Sequence, residues 1–437
     1  MSSKICRLLL LFALLDAGLA SRVLAGAASV SPTLASVDTA ARLSVRATRG
    51  TLPIGLSDRF RWPSPTDLAK SLDDAVALGV GWLRVDLSWD EIQHQSPADS
   101  DWSAFDPLVD AAAARGLRLL PILDRTPPWV RPAGCDSDTC APADPNQFAD
   151  FAAAAARRYA PRGVRTWEIW NEPNIDIFWK PSPDLARYVA LLRPTVAAIR
   201  GVDPGATMIS GGLSSARTAP GRIAGLDFLR AFAALGGPGL VDAIGFHPYS
   251  FPVPPAYPAA WNVWAEMERN PTSVESILAS SGYPGKKIWI SEYGAPTNGP
   301  GIAATSGDYR IGADPDHADE ALRAVMATQS VQLARNSPVI GALFWYSHRD
   351  LGPMRATGRA SSGSGALTAP PSRRTPPCSR RSPPQRLVSN ALAAAGRVTA
   401  AGHGWDEAAD RTAEVLLRVA RQPGRARPPG TRQALPT

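Results

Sequence analysis

Arg165-Thr166-Trp167-Glu168-Ile169-Trp170 is a short β-rich run with apolar Trp167, Ile169 and Trp170, and it opens into the polar Asn171-Glu172-Pro173-Asn174. A helical stretch, Asp184–Ile199, follows it and stops at Gly201; a second β-rich run, Thr207–Ser210, comes next. Strand, helix and strand in that order are the repeating unit of a parallel sheet. The unit continues in both directions. Strands are expected at Leu52–Leu56, Trp82–Leu87, Arg118–Leu123, Arg165–Trp170, Thr207–Ser210, Ala243–Phe246, Lys287–Ser291 and Ile340–Trp345. Helices are expected at Pro65–Leu78, Phe105–Ala114, Asn146–Tyr159, Asp184–Ile199, Ile223–Leu235, Trp261–Ser280 and Asp316–Arg335, and Gly79, Gly116 and Gly201 sit at helix stops. Eight strands alternating with helices over about 300 residues predict an α/β protein built as one (β/α)₈ barrel. The barrel is placed at residues 50–352.

Composition agrees with a globular chain: of 437 residues, 45% are hydrophobic and 19% charged, which excludes wholesale disorder. No apolar run reaches the roughly 18 residues of a membrane span, so stable membrane insertion is not expected. The net charge of +7 hints at nucleic acid until it is mapped. Residues 352–437 carry 14 Arg and 4 Asp or Glu, and the remainder of the chain is slightly acidic at −3. No nucleic-acid partner is expected.

In a (β/α)₈ barrel the chemistry gathers at the C-terminal ends of the strands. There the second strand offers Arg84 and Asp86, and the third offers Asp124 before Pro127-Pro128-Trp129. The fourth offers Asn171 and Glu172, the sixth His247-Pro248-Tyr249, the seventh Glu292-Tyr293-Gly294, and the eighth Trp345. Two lone glutamates three strands apart suit glycosidic bond cleavage, in which one acid protonates the leaving oxygen and a second carboxylate attacks or activates water. Aromatic side chains supply faces on which sugar rings stack. Taken singly, a strand-end glutamate is as often a salt-bridged rim residue. Glu168, inside the fourth strand, reads as a buried structural carboxylate in need of a cation. No zinc-protease, nucleophile-elbow, phosphate-loop or dinucleotide motif occurs, the five histidines are scattered, and neither metal nor cofactor is expected.

Three runs, Trp167-Glu168-Ile169-Trp170-Asn171-Glu172-Pro173-Asn174, Gly245-Phe246-His247-Pro248-Tyr249 and Ile288-Trp289-Ile290-Ser291-Glu292-Tyr293-Gly294, resemble clan A of the retaining glycoside hydrolases. The likeness is to families 39 and 5, including the cellulase-like barrels. It implies Glu172 as acid/base and Glu292 as nucleophile, with retention of configuration. It implies that Asn171 binds the sugar 2-hydroxyl and Arg84 holds Glu292 ionised, the bland alternative being a salt bridge from Arg84 to Asp86. His247 and Tyr249 would line the sugar subsite, with Trp345 as its floor; Trp129 and Trp179 are weaker candidates for aromatic walls. The implied activity is hydrolysis of a β-linked poly- or oligosaccharide, the expected partner is that carbohydrate, and a monomer is expected. The alternatives are an inactive barrel that binds wall polysaccharide and a wall-tethering role for the basic tail.

The two ends complete the reading. Lys4 and Arg7, the apolar Leu8–Leu15 and Ala25-Gly26-Ala27 make residues 1–27 a secretory signal peptide, with Asp16 unusual and a membrane anchor the alternative. A linker, 28–49, follows, and a secreted, extracellular protein is expected. In that oxidising setting Cys135-Asp-Ser-Asp-Thr-Cys140 can close as a small disulfide ring, against the alternative of two free thiols. Residues 353–437 are rich in Arg, Pro and Ala. Family members follow the last strand with Phe-Gly-Leu and then Pro-Lys-Pro-Ala-Tyr at the start of the eighth helix; both are absent here. Codons read two bases later permit Phe-Gly-Leu-Arg from Ala360–Gly365 and Pro-Lys-Pro-Ala-Tyr from Ala369–Ser379. A frameshift close to Gly352 is therefore expected, with the last helix missing or scrambled and the tail's charge uninformative about partners.

Overall fold

The computed structural model describes residues 52–58, 64–296 and 301–347. The signal peptide, the linker, the tail and any eighth helix lie outside the described residues, and with them the expected export signal and frameshift.

Eight strands close a parallel barrel: β1 (Ile54–Ser57), β2 (Trp82–Ser88), β3 (Arg118–Asp124), β4 (Thr166–Asn171), β5 (Thr207–Ser214), β6 (Ala243–His247), β7 (Lys287–Tyr293) and β8 (Ile340–Tyr346). Around the barrel the order is β1-β8-β7-β6-β5-β4-β3-β2, so each strand pairs with its sequence neighbour and β8 pairs with β1. The larger helices between them are α1 (Pro65–Ala77), α2 (Asp106–Ala114), α3 (Pro145–Tyr159), α4 (Leu185–Val202), α5 (Gly225–Ala234), α6 (Val274–Ser280) and α7 (Glu320–Asn336). Local chemistry sets several ends. Ser64 caps α1 by accepting from the Asp67 amide, with Pro65 in the first turn; Asp144 caps α3 in the same way through Asn146. Gly79 and Gly116 leave their helices with φ of +70°, where a side chain would be strained. No helix among the described residues is long and apolar enough to cross a membrane.

One helix departs from expectation. Trp261–Ser280 does not form a single helix but two pieces, Ala265–Glu268 and α6. Pro271 disfavours helical backbone at Asn270, and Ser273 then starts α6 with a reciprocal cap to Ser276.

Strand alternation divides the apolar residues into two cores. Outward side chains such as Leu83, Val85, Ile169, Ile244, Ile290 and Leu343 meet the helices. The smaller set points into the barrel: Trp82, Leu120, Ile209, Ala243, Ala342 and Phe344, with Trp289 against them. These plug the end of the barrel where the strands begin. The site is built on that floor.

Candidate active site

The end of β4 does not alternate regularly. Trp167, Ile169 and Trp170 all pack in the outer core, whereas Glu168 and Asn171 reach inward to Arg84. A strict two-residue period would put Trp170 inside with Glu168. Trp170 instead has φ of +71° and Glu172 has φ of +40°, both in the left-handed region that non-glycine residues avoid. The kink turns Trp170 out, where its indole N–H donates to the Phe178 carbonyl at 2.7 Å. Asn171 and Glu172, neighbours in sequence, thereby both meet side chains of the barrel interior, Arg84 and His247.

Beneath them lies Arg84 of β2, 1% exposed. Its Nε and Nη2 donate to the two oxygens of Glu168 at 2.6 and 3.0 Å, and Nη2 also donates to Asn171 Oδ1 at 2.8 Å. Nη1 donates to Glu292 Oε1 at 2.5 Å and to Ser57 Oγ at 3.1 Å. Glu168 thus has the cation its burial requires, and accepts further from Ser291 Oγ and the Gly212 amide. Arg84 ties the structural glutamate to the one at the end of β7.

Glu292 also accepts from the Tyr249 hydroxyl at 2.9 Å. His247 Nδ1 lies 2.8 Å from Glu172 Oε1, and its Nε2 lies 3.0 Å from Ser291 Oγ. Room for that imidazole comes from Gly212: a Cβ there would fall 2.0 Å from His247 Nε2. One oxygen each of Glu172 and Glu292 and a nitrogen of His247 lie within 4.8 Å of one another. These are the donors a metal would use, and the positive charge such an ion would bring is supplied at Glu292 by Arg84.

The two carboxyls differ in acidity. Burial raises Glu172, and the neighbouring Glu292 charge adds to the rise against the pull of His247. Burial acts on Glu292 too, but His247 and Arg84 outweigh it and hold Glu292 below the usual carboxylate range. Burial lowers His247, yet its two carboxylate neighbours leave it raised on balance. Burial and the Glu292 charge push Tyr249 well up, so it stays a hydroxyl donor. The surroundings thus drive the two carboxyls apart in acidity, Glu172 upward and Glu292 downward.

The cellulase model of glycosyl hydrolase family 5 matches residues 46–311, more than half of the chain. The chain belongs to this family. A β-xylosidase from Geobacillus stearothermophilus is 30% identical over 170 residues, 35% of this chain and 31% of that one. The match thus spans about a third of the relative's length. A family 39 glycoside hydrolase from Bacteroides cellulosilyticus WH2 superposes with a TM-score of 0.50 at 19% identity, covering 69% of this chain and 57% of that one, and shares the barrel fold.

Of the residues singled out in the sequence, the structure brings Arg84, Asn171, Glu172, His247, Tyr249 and Glu292 into this family 5 cavity. Trp345 is not its floor. It packs outward against Tyr293 at 5.7 Å, because Ala342 and Phe344 occupy the inward positions of β8. By the same alternation Tyr346 takes the inward place, near enough to Tyr249 to act on its hydroxyl. Trp179, 1% exposed against Trp170 and Tyr188, is core and no wall. Trp129 is half-buried, with its N–H donated to the Gln93 carbonyl and its ring edge-on to Trp89. Cys135 and Cys140 are joined in a disulfide. The ring holds the segment after β3: the Thr126 amide donates to the Asp138 carbonyl and the Thr126 hydroxyl to that of Cys140.

Proposed function

We propose that this member of family 5 is an exported retaining glycosidase that hydrolyses a β-linked oligo- or polysaccharide. The observation that carries the reading is the pair of carboxyl oxygens within 4.8 Å, one group raised in pKa and the other lowered. Double displacement uses carboxyls roughly 5–5.5 Å apart, whereas inversion needs space for a water between them.

Glu172 gives its proton to the glycosidic oxygen while Glu292 attacks the anomeric carbon from the opposite face. The leaving sugar departs and a glycosyl ester on Glu292 remains. Glu172, now ionised, takes a proton from water as the water displaces Glu292, which restores both groups. Arg84 and Tyr249 hold the two Glu292 oxygens, so the nucleophile is oriented before substrate arrives. His247 engages Glu172 Oε1 and leaves Oε2 for the leaving group. Asn171, with Oδ1 held by Arg84, turns its amide N–H toward the sugar.

The test is the anomer formed first from a β-aryl glycoside, read by proton NMR before mutarotation. Retention yields the β-anomer; the α-anomer would overturn the assignment of Glu292 as nucleophile.

A further inference from the structure

One buried carboxyl near the cavity has no part in this chemistry. Asp124 ends β3 two residues beyond Ile122 and four beyond Leu120, which belongs to the inward plug, so its side chain lies on the inner face of the strand. It pairs in register with Ser88 of β2, two residues past Asp86 and four past Arg84. The side chain is 4% exposed. Oδ2 lies 3.3 Å from Arg125 Nε, but Oδ1 is buried with no hydrogen-bond partner. A buried carboxylate oxygen left unmatched is costly, and native structures keep such an atom where something else completes it.

Resting on the glycosidase reading above, we propose that Asp124 is a specificity residue whose Oδ1 engages a ring hydroxyl of the sugar held between Glu172 and Glu292. Three further observations support it. Asp124 lies within reach of the charge of Arg84, the residue that touches both Asn171 and Glu292. The adjoining backbone is held for a purpose: Arg125 has φ of +64°, its guanidinium rests over the Phe178 ring at 5.6 Å, and the disulfide ring pins Thr126. Burial pushes the carboxyl up to about 7 against the pull of Arg125, with Asp86 and Asp138 adding to the rise, so the group can both accept and donate. With Asn171 on β4 facing the 2-hydroxyl, the next strand round the barrel meets the hydroxyl at position 3 or 4.

The experiment compares kcat/KM on 4-nitrophenyl β-glycosides of xylose, glucose, galactose and mannose with the 3-deoxy and 4-deoxy forms of whichever is cleaved best. Wild type should lose about 100-fold or more on one of the two deoxy forms. Asp124→Ala should lose a similar factor on the parent sugar and next to nothing further on that deoxy form, because both changes delete one contact. Asp124→Asn keeps the shape and answers through the same comparison if the alanine variant fails to fold. Penalties that multiply on both deoxy forms would overturn the proposal and leave Asp124 a structural carboxyl. Wild type cleaving none of the panel would instead count against the glycosidase reading, and with it this one.

Discussion

The two ends of the barrel interior are made by the same strands and have opposite characters. On β2, Trp82 belongs to the apolar plug and Arg84, two residues on, is the hub of the charged layer; on β7, Trp289 leads to Ser291 and Glu292. At the lower end Trp82, Trp289 and Phe344 pack ring against ring, with Trp82 edge-on to both. At the upper end Glu168, Glu172, Glu292, His247 and Tyr249 are all held by hydrogen bonds. The plug excludes water from beneath the charges, so each ion pair above it acts in a medium of low dielectric. There a matched charge is strong and a stranded one is expensive. One end supplies stability and the other spends some of it on chemistry.

The sharpest way to separate them is Glu292→Ala, which should cut kcat by about 10⁴-fold or more while the protein stays folded. Azide added to that variant should return part of the rate by attacking where the carboxylate did, and full activity without azide would sink the mechanism. Glu172→Ala should spare aryl glycosides with good leaving groups far more than natural ones; equal losses would reject it as the acid.

Two substitutions of similar cost to stability probe the division itself. Arg84→Met strips the cation from the buried Glu168 and the part-buried Glu292 and should cost about 3–5 kcal/mol by denaturant titration, with loss of activity. Phe344→Ala in the plug should cost a comparable ~3–5 kcal/mol yet leave the pH profile of kcat/KM where it was. A displaced profile in the Phe344 variant would show that the plug tunes the charges directly. Opening the disulfide by Cys135→Ser with Cys140→Ser closes no long loop, and should cost only ~2 kcal/mol in melting experiments.

The smallest effect is electrostatic. The proposed mechanism requires Glu292 ionised and Glu172 protonated. Activity should therefore fall as pH drops through the lowered value of Glu292, and fall again as pH rises through the raised value of Glu172. Glu292→Gln removes a negative neighbour, so the Glu172 titration followed by carbon NMR should move downward. An unmoved titration would mean that burial alone sets Glu172.

The barrel was legible because eight apolar runs alternate with helices, and each expected strand lies within a few residues of an observed one. The carboxyl pair was legible because the polar Asn171-Glu172 and Ser291-Glu292 follow mostly apolar residues at the ends of β4 and β7. Misreadings came where the backbone leaves its period. The family resemblance makes Trp345 the floor of the subsite, whereas two-residue steps from the inward Ala342 and Phe344 reach Tyr346. Trp261–Ser280 looked like one helix despite Asn270-Pro271.

Local sequence determined where strands and helices begin and end, since capping residues, glycines and apolar periodicity act over a few residues. It also determined that Glu172 and Glu292 stand at the C-terminal ends of β4 and β7. Only the tertiary structure decided that Arg84 joins Glu168 to Glu292 across 84 and 208 residues, that Gly212 exists to admit His247, and that the kink at Trp170 turns two adjacent side chains inward. Those facts depend on closure of the barrel, which brings distant strand ends within hydrogen-bonding distance over a floor that water cannot enter.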